Sequence, residues 1–261
     1  MTTLLAGAFL NGVFFWLEPE RIYLGLPFSL TLLLIILTHE LSHYFMSRKH
    51  HVDVTPPYFI PAPTFIGTFG AVIKMRPPIY NRRSLIDIGA SGPIGGFIVS
   101  VIVVIVGLQL SEVKPSGEFQ EGIAFGGSLL FSFLSQVVLN IEPDKYDIIL
   151  HPVAFAGWVG LLVTSLNLIP VGQLDGGHVV YALFGEKHQL IAKGMIPVLA
   201  LMGVIFWPGW LVWAALMLII GYKHPPVVYP ETHLDGKRKF IGWMCLVIFI
   251  LTFTPVPAKG L

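Results

Sequence analysis

Long apolar runs, separated by short polar segments, make up most of this chain. A helix needs about 20 apolar residues to cross a membrane, and seven runs approach that length. They lie at residues 2–17, 27–46, 86–110, 148–169, 191–207, 209–222 and 240–253. The two short runs in 191–222 are either two spans or one broken helix, and Trp207 and Trp210 between them are expected to be interfacial anchors. The pattern predicts a membrane all-α protein, a polytopic bundle of about six to seven transmembrane helices.

Two segments depart from this pattern. Residues 122–139 are apolar on one side, with serines and Gln136 between, which favours an interfacial or re-entrant helix. Residues 52–78 are rich in proline, glycine, aromatic and β-branched residues, and their proline spacing excludes a helix. Within them, TFGAVIKM predicts a strand and TPPYFI a second, proline-broken one. Irregular backbone at membrane depth must be buried in protein or line a cavity, so we predict a small membrane-associated β-region between the second and third spans.

Composition supports the membrane interpretation. The chain is 54% hydrophobic and 12% charged, whereas soluble domains carry about 25% charged residues. A net charge of +1 argues against a nucleic-acid partner. The single cysteine, Cys245, excludes an internal disulfide and a cysteine metal cluster. The N-terminal run lacks a basic region and a small-residue cleavage site, so we interpret it as a first span rather than a signal peptide.

Charged residues are distributed unevenly between the predicted loops. The loop after the second span and the segment before the last span are basic, and the loop after the third span is acidic. The basic residues are Arg48, Lys49, Lys74, Arg76, Arg82, Arg83, Lys223, Lys237, Arg238 and Lys239. The acidic residues are Glu112, Glu118, Glu121, Glu142, Asp144 and Asp147. Because basic loops stay cytoplasmic, seven spans with the N-terminus inside would place both basic segments in the cytoplasm.

Three ionisable residues interrupt the second span in LTHELSHYF, residues 37–45. His39 and His43 are four positions apart and therefore share one helix face. Two imidazoles at this spacing can hold one zinc ion. Glu40 lies beside them, where its carboxylate can serve as the base for a zinc-bound water. Because ionisable residues inside a membrane are costly and usually functional, the pattern predicts a metal site toward the cytoplasmic end of this span.

A catalytic zinc ion usually has three protein ligands, so one more donor is needed. The best candidate is Asp175 in NLIPVGQLDGGHVV, where Pro170 and three glycines break the helix that ends the fourth span. The predicted topology places this break on the same side as the two histidines. His178, which we expect to begin the next helix, and Asp87, which we expect to cap the third span, are the alternatives.

The combination of HELSH with NLIPVGQLDGG resembles the site-2 protease family of intramembrane zinc metalloproteases. GASGPIGG, residues 89–96, resembles the glycine-rich helix of that family, and GTFGAV resembles its membrane-embedded strand region. The likeness covers about residues 30–177. Ser42 stands where the family commonly has glycine, and no loop is long enough to hold a PDZ or CBS domain.

The resemblance implies roles for individual residues. His39, His43 and Asp175 match the ligands of one catalytic Zn²⁺ ion. Glu40 matches the general base, and Asn167 matches the residue that steadies the oxyanion. We expect a single integral-membrane metalloprotease domain over residues 1–261, with a catalytic core at about 27–180 and C-terminal helices at about 189–256.

The implied function is regulated intramembrane proteolysis, the hydrolysis of peptide bonds within or near transmembrane helices. Its partners would be a transmembrane protein substrate and the lipid bilayer, and a homodimer is left open. The candidate substrate-binding residues are Thr68, Phe69, Gly70, Ala71 and Val72, which could pair with an unwound substrate. The same stretch could instead be a rigid cytoplasmic cap. A membrane metal-ion transporter and a catalytically inactive homologue remain alternatives, and the membrane is the cell membrane or, in a eukaryote, an organelle membrane.

Overall fold

Helices dominate the computed structural model, which describes residues 1–14, 16–76, 79–116, 124–141 and 145–259. The α-helices there are α1 (Thr2–Leu10), α2 (Leu26–Lys49), α3 (Arg82–Gln109), α4 (Leu129–Leu139), α5 (Pro152–Asn167), α6 (Asp175–Phe184), α7 (His188–Ile205), α8 (Gly209–Ile220) and α9 (Gly236–Thr252). The strands are β1 (Tyr58–Pro61), β2 (Thr68–Val72), β3 (Glu112–Pro115), β4 (Ala124–Phe125), β5 (Tyr146–Ile149) and β6 (Ala258–Lys259). Four residues of the predicted acidic loop, Glu118, Glu121, Glu142 and Asp144, lie outside the described residues.

Within the described residues, three helical stretches are long and apolar enough to cross a membrane. They are Pro19–Lys49, Arg82–Gln109 and Asp175–Ile205. The first joins a 3-10 turn to α2, and the third joins α6 to α7 through another 3-10 turn. The architecture agrees with the predicted all-α membrane class. Because α5, α8 and α9 have only 16, 12 and 17 residues, the number of spans stays a prediction.

The predicted first span, residues 2–17, is wrong in extent. Its helix α1 has nine residues, which cover about 13 Å at a rise of 1.5 Å per residue. The Asn11 side chain donates hydrogen bonds to the carbonyls of Gly7 at 2.8 Å and Leu24 at 3.1 Å. Gly12 then adopts a φ of 72° and ends the apolar helix. As a result, α1 packs against the 3-10 turn that precedes α2.

The start of α3 is capped by a residue that we did not predict. The Asn81 side chain accepts a hydrogen bond from the Ser84 backbone N–H at 2.9 Å. Asp87, the expected cap, lies further inside the helix, so that prediction was wrong. Its carboxylate accepts hydrogen bonds from Arg238 Nη2 at 2.6 Å and from His50 Nε2 at 2.9 Å. This cluster joins the end of α2 to the beginnings of α3 and α9, so the two basic segments lie at the same end of the molecule.

The proline-rich segment after α2 forms the predicted β-region. Strands β1 and β2 pair in antiparallel order, with Tyr58 opposite Val72, and an isolated bridge joins Val54 to Met75 nearer to α2. The turn of this hairpin rests on α1, because a Cβ atom at Gly67 would lie 2.5 Å from a backbone oxygen of that helix. The hairpin therefore extends from the basic end of α2 to the N-terminal helix.

The segment 191–222 contains two helices rather than one broken helix. α7 ends at Ile205, α8 begins at Gly209, and the two pack against each other. Trp210 is fully buried and donates a hydrogen bond to the Pro255 carbonyl at 2.7 Å. It is a core residue, so the prediction of an interfacial anchor was wrong there. The following helix, α9, packs against α3, α5 and α6 and so closes the C-terminal part of the fold onto the central helices.

Candidate active site

Two helices bring the three predicted metal donors together. His39 and His43 come from α2, and Asp175 is the first residue of α6. The carboxylate lies between the rings, with Oδ2 3.2 Å from His39 Nε2 and Oδ1 3.2 Å from His43 Nε2. All three donor atoms lie within 4.8 Å of one another. Tetrahedral ligands at zinc–nitrogen distances of about 2.0–2.1 Å are about 3.3 Å apart, so this group fits one zinc ion.

A glycine face of α3 makes room for the two histidine rings. A Cβ atom at Gly92 would lie 2.1 Å from His43 Nε2, and one at Gly96 would lie 3.1 Å from His39 Nδ1. His43 Nδ1 donates a hydrogen bond to the Ile88 carbonyl of the same helix at 2.8 Å. This bond places the proton on Nδ1 and leaves the Nε2 lone pair for a metal. Helix α3 therefore fixes the position of this candidate ligand through its glycines and the tautomer of His43 through the Ile88 carbonyl.

The position of Asp175 depends on the two glycines that follow it. A Cβ atom at Gly176 would lie 2.0 Å from the Leu168 carbonyl oxygen, and one at Gly177 would lie 2.4 Å from that of Gly172. Larger residues would therefore push the start of α6 away from the loop that follows α5. The LDGG sequence brings the aspartate into contact with the histidines because its backbone can pack without side chains.

The predicted base and oxyanion residue border the same group. Glu40 is only 8% exposed, and its carboxylate lies against the backbone of Ile73, just after β2. Asn167 is the last residue of α5, and its Nδ2 atom is 3.3 Å from His39 Nε2. An acid–base group and an amide donor thus stand beside the three metal donors. Their catalytic roles stay predictions.

A cavity of about 320 Å³ opens over this group. Its wall includes the three donors, Glu40, Asn167 and part of β2. Four of the five predicted substrate-binding residues line it, namely Phe69, Gly70, Ala71 and Val72. The fifth, Thr68, is buried and holds the strand: its hydroxyl donates to the Ile60 carbonyl at 2.9 Å and accepts from the Gly70 N–H at 2.9 Å. Phe69 is 71% exposed, so this edge of the cavity is open.

The two alternative metal donors have other partners. Asp87 binds Arg238, as described above. His178 lines the cavity, but its Nδ1 atom is 2.6 Å from His224 Nε2. Burial, with a smaller effect of the neighbouring His178, lowers the pKa of His224 to about 3, so its ring is uncharged at neutral pH. Sequence reasoning missed His224, because no motif surrounds it and 46 residues separate it from its partner.

Several curated relatives of this chain are plant proteins named as probable zinc metalloproteases. "Probable zinc metalloprotease EGY1, chloroplastic" of Arabidopsis thaliana is 34% identical over 89% of this chain and 43% of its own length. The protein of the same name from Oryza sativa subsp. japonica is 34% identical over 89% of this chain and 41% of its own. EGY2 of Arabidopsis thaliana is 27% identical over 89% and 42%. The chain therefore spans less than half the length of these relatives. No solved structure matches it.

The family comparison covers the whole candidate site. The sequence model described as Peptidase family M50 matches residues 27–207. This range includes the three metal donors, Glu40, Asn167 and the hairpin, and it confirms the resemblance to the site-2 proteases. On this match and on the identity to the EGY1 proteins, the chain belongs to peptidase family M50.

Proposed function

We propose that this protein is an intramembrane zinc metalloprotease that hydrolyses peptide bonds within or near the transmembrane helices of other membrane proteins. The observation that carries the proposal is the convergence of His39, His43 and Asp175 beside Glu40, in a cavity along a helix long enough to cross a membrane. The family match and the names of the relatives support the same chemistry.

The two histidines and the aspartate would hold the metal. A zinc ion at this position supplies Lewis acidity, which polarises a carbonyl group and lowers the pKa of a bound water. One oxygen of the Asp175 carboxylate lies near His39 Nε2 and the other near His43 Nε2. The negative charge of this carboxylate would offset part of the positive charge of a bound zinc ion. The nearly complete burial of both rings keeps competing water away from the donors.

Glu40 is the proposed general base. Its position next to His39 in the chain and on the cavity wall allows it to accept a proton from the attacking water and to return that proton to the leaving amine. The Asn167 amide donates a hydrogen bond to the oxygen on which negative charge develops. Both groups act from helices, which hold them more rigidly than loops would.

The substrate would bind along β2. A peptide bond in a helix is shielded, so a substrate helix has to unwind before it is cut. An extended segment can then pair with the edge of a strand, since main-chain hydrogen bonds do not depend on sequence. The cavity wall formed by Phe69, Gly70, Ala71 and Val72 would supply such an edge. Gly70, whose φ of 98° favours glycine, places no side chain at its centre.

We further propose a multi-pass topology with the active site toward the cytoplasmic side. The ion cluster of Asp87 with Arg238 and His50 supports it by holding the basic ends of α2, α3 and α9 together. His43 lies six residues before the end of α2 at Lys49, a distance of about 9 Å along the helix axis. Water would therefore reach the site from the basic end.

The proposal is tested in proteoliposomes that contain the full chain and a tagged single-span reporter whose membrane helix carries an Asn–Pro pair. Glu40→Gln is expected to keep its zinc content and to abolish cleavage. Asp175→Ala is expected to lose zinc as well as cleavage. Undiminished cleavage by the Glu40 variant would rule out the assigned base. Zinc transport into the same liposomes without any cleavage would favour the transporter instead.

A further inference from the structure

Three histidines and a tyrosine form a buried cluster behind the active-site cavity. His178 and Tyr181 lie on α6, His188 begins α7, and His224 follows α8. The ring of His224 stacks on Tyr181 with centroids 4.3 Å apart and an angle of 17°. His224 also meets His188 edge to face at 5.9 Å. The segment after α8 is thus inserted against the helix that carries Asp175.

The hydrogen bonds of this cluster determine where the protons lie. His224 Nδ1 is 2.6 Å from the Pro225 carbonyl oxygen, which can only accept, so Nδ1 carries the proton. Because the His224 ring is neutral, its Nε2 atom must be an acceptor. The partner 2.6 Å away, His178 Nδ1, must then be the donor. A neutral His178 therefore carries its proton on Nδ1 and an unshared electron pair on Nε2.

The ring of His178 is also fixed in space. A Cβ atom at Gly89 of α3 would lie 2.7 Å from the His178 Cβ atom, so α3 packs directly against the base of this side chain. The residue lines the cavity, and no hydrogen bond to its Nε2 atom comes from the described part of the chain. His178 is thus oriented by its neighbours, and its one acceptor atom, Nε2, has no hydrogen bond from the described residues.

We propose that His178 is a substrate-binding residue whose Nε2 atom accepts a hydrogen bond from a backbone N–H of the unwound substrate, and that His224 is the positioning residue that fixes its tautomer. The inference rests on the proposed protease function and deepens it. An unwound helix exposes N–H groups that lost their carbonyl partners, and each costs free energy in a cavity without an acceptor. His178 supplies such an acceptor about one turn along α6 from Asp175.

The contact between His178 and His224 also extends the proposed substrate site beyond the residues that the family model matches. His178 lies within residues 27–207, whereas His224 lies outside them. The segment that holds His224 is anchored elsewhere as well, since Arg83 Nε donates to the His233 carbonyl at 2.9 Å. The C-terminal part of this chain would therefore complete a substrate contact that begins in the family core.

The tautomer is measured without any substrate. Solid-state ¹⁵N NMR of histidine-labelled protein, with His178 assigned from the loss of its signals in His178→Phe, is expected to show a protonated Nδ1 and an unprotonated Nε2. His224→Phe keeps a ring to stack on Tyr181 but removes the acceptor for His178 Nδ1–H. It is expected to abolish the preference of His178 for the tautomer protonated on Nδ1. His224→Gln retains an acceptor and is expected to restore it. A protonated Nε2 in the wild type would overturn the proposal.

The substrate contact is measured with the reporter described above. His178→Phe keeps the Cβ and Cγ atoms that pack on Gly89 and is expected to raise KM about 5- to 10-fold at unchanged kcat, the effect of one lost hydrogen bond. His178→Gln, which keeps an acceptor, is expected to stay near the wild type. His188→Phe is the matched control from the same cluster and is expected to leave KM unchanged.

A double-mutant cycle identifies the donor. Synthetic reporters with one backbone amide near the cut replaced by an ester lack a single N–H. One such ester is expected to raise KM in the wild type and to have no further effect in His178→Phe. Additive effects at every position would overturn the contact. Loss of zinc from His178→Phe would show that the residue acts on Asp175 instead. Failure of the proposed function is distinct, because wild-type protein would then cleave no reporter.

Discussion

At the scale of single residues, a methyl group at Gly92 would occupy the space of the His43 ring. The metal site needs a glycine at this position as much as it needs the imidazole, because the His43 ring packs directly against the α3 backbone between the two helices. His39 meets Gly96 in the same way, at a larger distance. The spacing of these glycines along α3 follows the spacing of the histidines along α2.

Gly92→Ala is expected to lower zinc affinity by about 10- to 100-fold, the range seen when the supports of a ligand are lost. Its Cβ atom would lie 2.1 Å from His43 Nε2, and a shift of the ring would break its hydrogen bond to the Ile88 carbonyl. Gly95→Ala is the matched control. There the nearest atom is the Ser42 hydroxyl at 2.3 Å, which moves away by rotation. Competition with a zinc-binding dye measures both variants, and equal affinities would contradict the prediction.

At the scale of elements, the hairpin and α9 are held by few polar contacts. The centre of the hairpin depends on the Thr68 hydroxyl, which bonds to both strands. The start of α9 depends on the contact of Arg238 with Asp87. The first contact joins β1 to β2 and the second joins α9 to α3. Removing either one should loosen the hairpin or α9 without unfolding the rest of the protein.

Thr68→Val is expected to lower kcat/KM for the reporter about tenfold, which corresponds to about 1.4 kcal/mol. Valine keeps the shape but leaves the Gly70 N–H without its acceptor. Zinc content is expected to stay unchanged, since no metal donor moves. Thr55→Val is the control, because the Thr55 hydroxyl accepts from the Lys74 N–H in the outer part of the same hairpin. A loss of zinc from the Thr68 variant would show that β2 supports the metal site directly.

Arg238→Gln is expected to destabilise the protein by about 1–3 kcal/mol, because the Asp87 carboxylate, 13% exposed, loses a charged hydrogen-bond partner. Lys237→Gln changes the neighbouring exposed charge on the same helix and is expected to have little effect. Thermal unfolding in detergent compares the two. If both variants unfold at the same temperature as the wild type, the cluster does not fasten α9 to α3.

At the scale of the whole molecule, the basic segments gather at one end and the strand pair β3–β5 lies beyond the opposite end of α3. Cys245, the one cysteine of the sequence, is 2% exposed and should not react with a polar maleimide. Introduced cysteines therefore report their own accessibility. Arg48→Cys and Lys237→Cys are expected to react from the same side of sealed vesicles, and Tyr146→Cys from the other. Labelling of Arg48→Cys and Tyr146→Cys from one side would contradict the proposed topology.

The site could be predicted from sequence where its information is local. The spacing of His39 and His43 defines a helix face, and Pro170 and Gly172 indicate the helix break that separates α5 from Asp175 at the start of α6. Long-range partners could not be predicted in this way. Asp87 was expected to cap a helix because its local sequence favours that role and its partner Arg238 lies 151 residues further along. No sequence motif near His224 indicates its contact with His178.

The error at the N-terminus has a different cause. Asn11 and Gly12 are residues typical of a turn, but the apolar residues on both sides of them favour one continuous helix in the sequence pattern. In the structure, Asn11 satisfies two backbone carbonyls, so the polar side chain ends the helix at low cost. The membrane class could be predicted from composition, whereas the length of this helix depended on two residues.

The close approach of α3 to α2 also has a mechanical consequence. These helices meet through Gly92 and His43, and α3 meets α6 through Gly89 and His178. Sliding or twisting would drive the α3 backbone into the His43 ring at one contact and into the base of the His178 side chain at the other, so we expect α2, α3 and the start of α6 to move together. Under the proposed function, the motion that admits a substrate helix is therefore expected in the hairpin or in the helices after α6, while the groups of the candidate site keep their positions.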